Sequence, residues 1–275
     1  MTRLTHDDIF DITAALAAHD RELQAATGKG LLGIACHAWN VDETTAVQTL
    51  SRLETRVVPV TAGQGVITDF SATVAGILNF LGVPAHVADL PDVQGLTRTL
   101  ASPAQALFMA DDFQFAGIHL EHRRVADNTE NTGRVYAAAL DLMAGGIANR
   151  PALILGCGPV GEAAARELVR RKARIILHDI DMARAGELGK RLKAPVTLEA
   201  DLTTALDQAP YIIEATPAAG TLPPKLMTQA HRVAAPGVPQ GADAPTRAAM
   251  GSRWLHDKLE LGVAAMAVEL ITDRI

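Results

Sequence analysis

The sequence predicts an α/β protein of two domains: a helical and α/β domain over residues 1–149, then a domain over residues 150–275 with a mostly parallel sheet. Three observations lead there. The chain has 275 residues, more than one hydrophobic core usually organises. Short apolar β-like runs alternate with amphipathic helical ones, as in parallel sheets covered by helices. One such run, PALIL, enters a glycine-rich turn that opens a helix, the local pattern of a dinucleotide-binding unit.

The elements follow in order. Thr5-His6-Asp7-Asp8 has the capping-box pattern, and Ile9, Ile12, Leu16 and Leu23 recur on one face, predicting a helix to about Thr27-Gly28. A second helix is predicted near Glu43 to Arg56, a strand over Val57 to Val60, and a helix over Thr68 to Leu81 closed by Gly82. Strands follow at Ala85 to Ala88 and Ala104 to Ala110, the latter ending in two adjacent acids, Asp111 and Asp112. The helical run TGRVYAAALDLMAGG stops at Gly145-Gly146, ahead of Pro151, a natural hinge. Beyond it strands are predicted at 152–156, 174–179, 195–198, 210–215, 231–235 and 253–256, with a last helix from Leu261 to Asp273.

Composition excludes several classes of function. Aromatic residues make up 4% of the chain, too few for base-stacking platforms, and a net charge of −6 without a basic block argues against nucleic acid as a partner. No apolar segment approaches the ~18 residues of a membrane helix, and the N-terminal stretch has no signal-peptide core, so a cytoplasmic protein is expected. Cys36 and Cys157 form no C-x-x-C pair and read as small buried residues in a reducing compartment.

The most informative segment is PALILGCGPVGEAAARELVRRKARIILHDID. Gly156 permits the tight turn, Gly158 lets backbone approach a pyrophosphate, and Gly161 lets the helix pack on the strand, with its first amides facing the anion. Cys157, Pro159 and Val160 complete this loop. A second strand ends at Asp179, 23 residues after Gly156, where an acid grips the adenosine ribose, with Ile180 beside it. That acid, with Asp181 behind it, repels a 2′-phosphate, so NAD is expected over NADP. This is a Rossmann domain. Thr216-Pro217 after YIIEA and Pro236 after RVAA stand at later strand ends, where a nicotinamide ring would lie.

Three polar segments of the first domain end where a facing cleft is expected: the Thr61 to Gly65 loop, the Asp111-Asp112 tip, and Asp127-Asn128-Thr129. Paired acids at a strand tip read either as a solvated turn, as a metal site, or as a holder for a cationic substrate. His119 and His122 lack a complete ligand set, exposed loop histidines explain them as well, and no metal is expected. No nucleophile elbow is present. Asn128-Thr129 before a glycine-containing helix resembles the Asn-Thr-Asp-Gly segment of shikimate dehydrogenases. Those enzymes use a catalytic lysine in this domain, however, and between Gly30 and Arg171 this chain has none. Their alcohol chemistry is therefore not expected.

VVPVTAGQGVITDFS, LFMADDFQF, NTGRVYAA, GCGPVG, HDIDM, EATP, APGVP and ELGVAAM, in this order, resemble the pyrrolysine synthases, which complete pyrrolysine biosynthesis. The resemblance implies a small-molecule isopeptide substrate, 3-methyl-D-ornithyl-Nε-L-lysine, whose terminal ornithine amine carbon is oxidised with NAD before ammonia loss and ring closure. It places Asp111 at the family's substrate-binding and catalytic acid and Asn128 at its cleft asparagine. Thr61, Gln64 and Phe70 fall on segments bordering the same site. Where the family loop has Ser and Asn, this chain has Ala62 and Gln64. Asp111 could either stabilise a developing iminium or take a proton. A homodimer is compatible with the resemblance. Two other readings stand beside it: a shikimate- or amino-acid-dehydrogenase relative with another substrate, and a non-catalytic NAD-binding protein.

Overall fold

A computed structural model of the chain describes residues 9–63 and 67–272. The chain forms two compact units, one of residues 9–21, Leu31–Asn131 and 258–272, the other of Glu22–Gly30 and Thr132–Asp257. Among the described residues no helix is long and apolar enough to cross a membrane. The predicted capping box and Gln64 lie outside the described residues.

The N-terminal part opens with α1 (Ile12–Thr27), α2 (Leu31–Trp39) and α3 (Glu43–Leu50). Ile12, Leu16 and Leu23 are buried along α1, and Gly28, at φ +78°, ends it where predicted. The expected helix to Arg56 stops at Leu50. Residues beyond it form β1 (Thr55–Val58), whose side chains are largely buried. Next come α4 (Phe70–Phe80), β2 (Ala85–Val87), α5 (Asp92–Leu100), β3 (Ala106–Ala110), β4 (Phe115–His119), β5 (Arg124–Asp127) and α6 (Asn128–Met143). The sheet order is β2-β1-β3-β4-β5. β1 pairs in parallel with β2 and β3, whereas β3–β4 and β4–β5 are antiparallel hairpins, with Ala110 opposite Phe115 and Ala116 opposite Asp127. β4 and β5 were not expected, and they place His119 on a strand. It is buried, which corrects the reading of exposed loop histidines; its ring stacks on His122 with centroids 4.3 Å apart. Burial first, then the neighbouring positive charges, lowers the pKa of His119.

The Rossmann sheet contains β6 (Pro151–Leu155), β7 (Arg174–His178), β8 (Val196–Leu198), β9 (Tyr211–Glu214), β10 (Arg232–Ala234) and β11 (Trp254–Leu255). All pair in parallel, in the order β11-β10-β9-β6-β7-β8. Its helices include α7 (Pro159–Arg170), α8 (Met182–Leu192), α9 (Leu202–Gln208) and α10 (Ala244–Met250). Leu153, Leu155, Ile176, Ile212 and Val233 form the centre of one core layer. α6 lies close to α7 because Gly133 has no side chain; a Cβ there would strike the α7 backbone and Ala163. Charge then staples the two helices. Buried Glu167 accepts from Arg171 Nε at 2.9 Å and pairs with Arg170 at 3.0 Å and Arg134 at 3.4 Å, while Arg171 reaches Asp141 at 2.7 Å. Cys36 and Cys157 are both buried, and neither is in a disulfide among the described residues.

The last helix, α11 (Glu260–Ile271), is buried almost all round, as a helix apolar on every face must be. It packs on α2, α3, α4, β4 and β5. Gly117 of β4 admits it, since a Cβ there would lie 3.4 Å from Leu270 and 3.0 Å from the Phe108 ring. Asn131 of α6 ties these elements together, accepting from Trp39 Nε1 at 3.0 Å and donating to Glu269 at 2.7 Å.

Asp42, Asp201 and Asp243 cap α3, α9 and α10, each accepting from the amide of a threonine three residues on. These bonds, from amide or hydroxyl of the threonine, hold all three carboxyls below the usual aspartate range. A depressed folded-state pKa contributes stability that is complete above the unfolded value and lost as pH falls through the folded one. The melting temperature is therefore expected to fall as pH drops below the ordinary aspartate range. Asp42→Asn and Asp201→Asn, which keep a cap of similar strength, should make that acid limb shallower in a pH series of thermal melts; an unchanged limb would refute the assignment.

Candidate functional site

In the unit containing β1–β5, the loops at one end of β1 and β3 carry the polar residues. Asp111 opens the β3–β4 hairpin, and its Oδ1 accepts from the amides of Phe113 and Gln114, both at 2.8 Å. The Asp111 amide donates to the Gln114 carbonyl at 3.0 Å. The first of the paired acids thus builds the turn. Those two amides, Gln114 first, hold its carboxyl below the usual range, so it is ionised at neutral pH. Oδ1 is occupied, and Oδ2 has no hydrogen bond among the described residues. Asp112 lies against the first loop, where a Cβ at Gly63 would collide with its carboxylate; glycine also suits the φ of +76° there.

Thr61 is exposed, and both its amide (2.7 Å) and its hydroxyl donate to Asp92. The hydroxyl oxygen is thereby left as an acceptor. Phe70 is half-buried as the first residue of α4 and meets Phe115 edge-on, ring centroids 5.3 Å apart. Phe115 in turn faces Phe108 and pairs with Ala110, next to Asp111. Asn128 is buried and stands within the first turn of α6 rather than in a loop ahead of the helix. Asp127 precedes it, with Oδ1 accepting from the Glu130 amide and Oδ2 from Gln114 Nε2, each at 3.0 Å. Asp111, Phe70 and Asn128 are thus linked through the hairpin, and Thr61 through the loop against Asp112. Asp127, the last residue of β5, belonged to a segment expected at the cleft, whereas Asp92, the first residue of α5, carried no signal in the sequence.

In the other unit, Gly156 turns at φ +94°, with Ala215 oxygen 2.8 Å from where its Cβ would be. Gly161 has no room for a Cβ against the Gly156 carbonyl, whereas at Gly158 a Cβ would meet nothing within 4 Å. Pro159 is the first residue of α7 and Val160 follows within its first turn. Asp179 is buried at the end of β7, with Oδ2 accepting from the Cys157 amide at 2.7 Å and Oδ1 from the Asp181 amide at 2.9 Å. A carboxylate has about four acceptor positions, so about two remain for ribose hydroxyls. Ile180 beside it is fully exposed. Open space at Gly158, an uncrowded helix start and an acid with spare lone pairs fit a dinucleotide. The Cys157 thiol is pushed up to about 12 by burial and then by the Asp179 charge, so it is inert at neutral pH.

Thr216 and Pro217 follow β9, and Pro236 follows β10. Between them sits Glu214, fully buried, which accepts from the Thr216 amide (3.1 Å), the Thr216 hydroxyl and the Gly241 amide (3.2 Å). Burial raises its pKa against those bonds. One carboxylate therefore fixes both loops. The EATP segment contained this residue, but its burial and its reach to Gly241, 27 residues on, have no local signature. Among the described residues no three His, Cys, Asp or Glu side chains are grouped to hold a metal ion.

The chain is similar in fold to shikimate dehydrogenase from Aquifex aeolicus, with a TM-score of 0.52 at 15% identity over 78% of this chain and 90% of that one. Residues 8–126 match the model of the family described as pyrrolysine biosynthesis protein PylD, N-terminal domain. Pyrrolysine synthase from Methanosarcina acetivorans is 27% identical over 98% of this chain and all of that protein. That from Methanosarcina barkeri is 30% identical over 98% of both. With such identity running from end to end, and a turn of two acids and a dinucleotide loop in the same chain, the protein belongs to the pyrrolysine synthase (PylD) family.

Proposed function

We propose that the chain carries out the last step of pyrrolysine formation. It oxidises the terminal amine carbon of 3-methyl-D-ornithyl-Nε-L-lysine with NAD, and the resulting imine loses ammonia as the ring closes. The observation that carries this reading is the Asp111 carboxylate, exposed at the hairpin tip, kept ionised by two backbone amides, and with Oδ2 turned to no partner among the described residues. Such a group suits a substrate bearing ammonium groups. Membership of the family supplies the substrate class.

When bound, the nicotinamide dinucleotide supplies the hydride acceptor. Gly156 to Gly161 would hold its pyrophosphate and Asp179 its adenosine ribose. Asp179 accepts hydrogen bonds from ribose hydroxyls and repels a 2′-phosphate, which favours NAD over NADP. On the substrate side, the amine must be neutral when its C–H bond breaks, and the carbon then becomes an iminium. The low pKa of Asp111 makes it a poor proton acceptor and a good counter-charge, so it stabilises the iminium while the ammonium proton passes to water. Thr61, whose hydroxyl hydrogen is committed to Asp92, can only accept, which suits an N–H of the substrate. Asn128 would orient an amine or the isopeptide carbonyl, and Phe70 would face the carbon chain. Closure requires attack of the α-amine on the oxidised carbon with expulsion of ammonium. Holding the two ends together accounts for its rate.

The test is to mix the protein with NAD and 3-methyl-D-ornithyl-Nε-L-lysine and follow NADH absorbance, with mass spectrometry of the product. Expected are NADH, ammonia and a product with the mass of the cyclic imine, with NADP a poorer acceptor. NAD binding without NADH formation would overturn the reading.

A further inference from the structure

We propose that Asp127 and Gln114 are positioning residues that hold the Asp111 carboxylate against the start of α6, where Asn128 sits. The proposal rests on the amine-oxidising reading above. The loop from Asp111 to Gln114 stands exposed at the hairpin tip, with Phe113 97% exposed, so packing does little to fix it. Among the described residues, the hydrogen bonds of Asp111 go to loop atoms: Oδ1 to the Phe113 and Gln114 amides, and its own amide to the Gln114 carbonyl. These bonds make the tip a unit, but none of them reaches α6.

The tie toward α6 is the Gln114 side chain, which donates to Asp127 Oδ2 at 3.0 Å. The other oxygen of the same carboxylate accepts from the Glu130 amide in the first turn of α6, also at 3.0 Å. Asp127 is itself fixed at the end of β5, paired with Ala116 of β4. Capping the helix needs one oxygen, and serine or asparagine would do it equally well. The second oxygen is what reaches Gln114. One carboxylate thus links the loop carrying Asp111 to the helix carrying Asn128, and sets the distance between the two groups that receive the substrate.

The experiment uses four single variants of the full chain and one double, with kcat and KM for the isopeptide, the Kd for NADH, and melting temperature. Asp127→Ser keeps the helix cap but withdraws the second arm, and Gln114→Met removes the tie while leaving the turn's backbone bonds. Each is expected to lower kcat/KM roughly 10- to 100-fold, the cost of a displacement near 1 Å at a reacting group, with NADH affinity unchanged. Asp127→Asn is expected within about threefold of wild type, because the Gln114 amide can turn over and accept from the new Nδ2. In an Asp111→Asn background, Gln114→Met should cost little more, since the residue it positions is already impaired. Wild-type turnover in Asp127→Ser and Gln114→Met, or full additivity with Asp111→Asn, would overturn the proposal. So would a loss in Asp127→Asn as large as in Asp127→Ser, which would mean that the Asp127 charge itself acts on the substrate. Asp111→Asn separates the two levels: if it alone is harmless, the amine-binding reading falls and this inference with it. If it is severe while the tie variants are silent, only the tie is wrong.

Discussion

Asp111→Asn is expected to lower kcat/KM for the isopeptide about 100-fold, the cost of roughly 3 kcal/mol of lost charge stabilisation at the reacting carbon, with the fold intact. Asparagine keeps the shape of the turn. Its Oδ1 still accepts from the Phe113 and Gln114 amides, the two bonds that shape the turn. What it lacks is the negative charge, and the second position becomes an N–H donor pointed where an ammonium or iminium would sit. The loss should therefore appear in kcat as well as in KM, because the attraction grows as the carbon becomes cationic. NADH affinity should not move. The pH profile gives a second reading of the same residue. The Asp111 carboxyl is held below 3.8, so it stays ionised across the working range, and the rise of kcat with pH should follow loss of the amine proton, whose free pKa is ~10. A wild-type rate in Asp111→Asn would contradict this role, as would an acidic limb that disappears in the variant.

Much of the dinucleotide unit could be read along the chain because backbone geometry there demands particular residues. The turn at Gly156 needs a positive φ, Gly161 leaves no room for a Cβ, and the strand Arg174–His178 delivers its acid one residue later. The paired acids at residues 111 and 112 were legible as a feature but not as a structure. A strand followed by two acids does not announce that one folds its own turn while the other lies against Gly63. Other parts had no local signal. LLGIACHAW of α2 is buried on several faces, so no amphipathic period marks it. In FQFAGIHLEHRRVAD the alternation is interrupted, which hid two antiparallel strands. The roles of Asp92 and Asp127 depend on partners 31 and 13 residues away, distances over which turn and helix patterns say nothing.

Gly158→Ala and Gly161→Ala should both abolish efficient turnover, but by different physics, and the contrast tests the dinucleotide loop directly. At Gly161 an added Cβ would collide with the Gly156 carbonyl, a backbone atom that cannot yield without opening the turn. Strand and helix would separate, so the melting temperature should fall, by about 2–4 kcal/mol of stability for overpacking of this kind, and dinucleotide binding with it. At Gly158 the Cβ meets nothing within 4 Å, and the backbone there is extended, at φ −74° and ψ −174°, which alanine adopts freely. Stability should be unchanged. If, as proposed, a pyrophosphate lies at the α7 amides, the open space at this position is what it would occupy. Loss of the closest approach should weaken NADH binding at least tenfold, about 1.4 kcal/mol, in a fluorescence titration of a fully folded variant. Unaltered NADH affinity in Gly158→Ala would show that the cofactor does not lie over this turn, whereas loss of affinity at unchanged melting temperature would assign the open space to the bound dinucleotide.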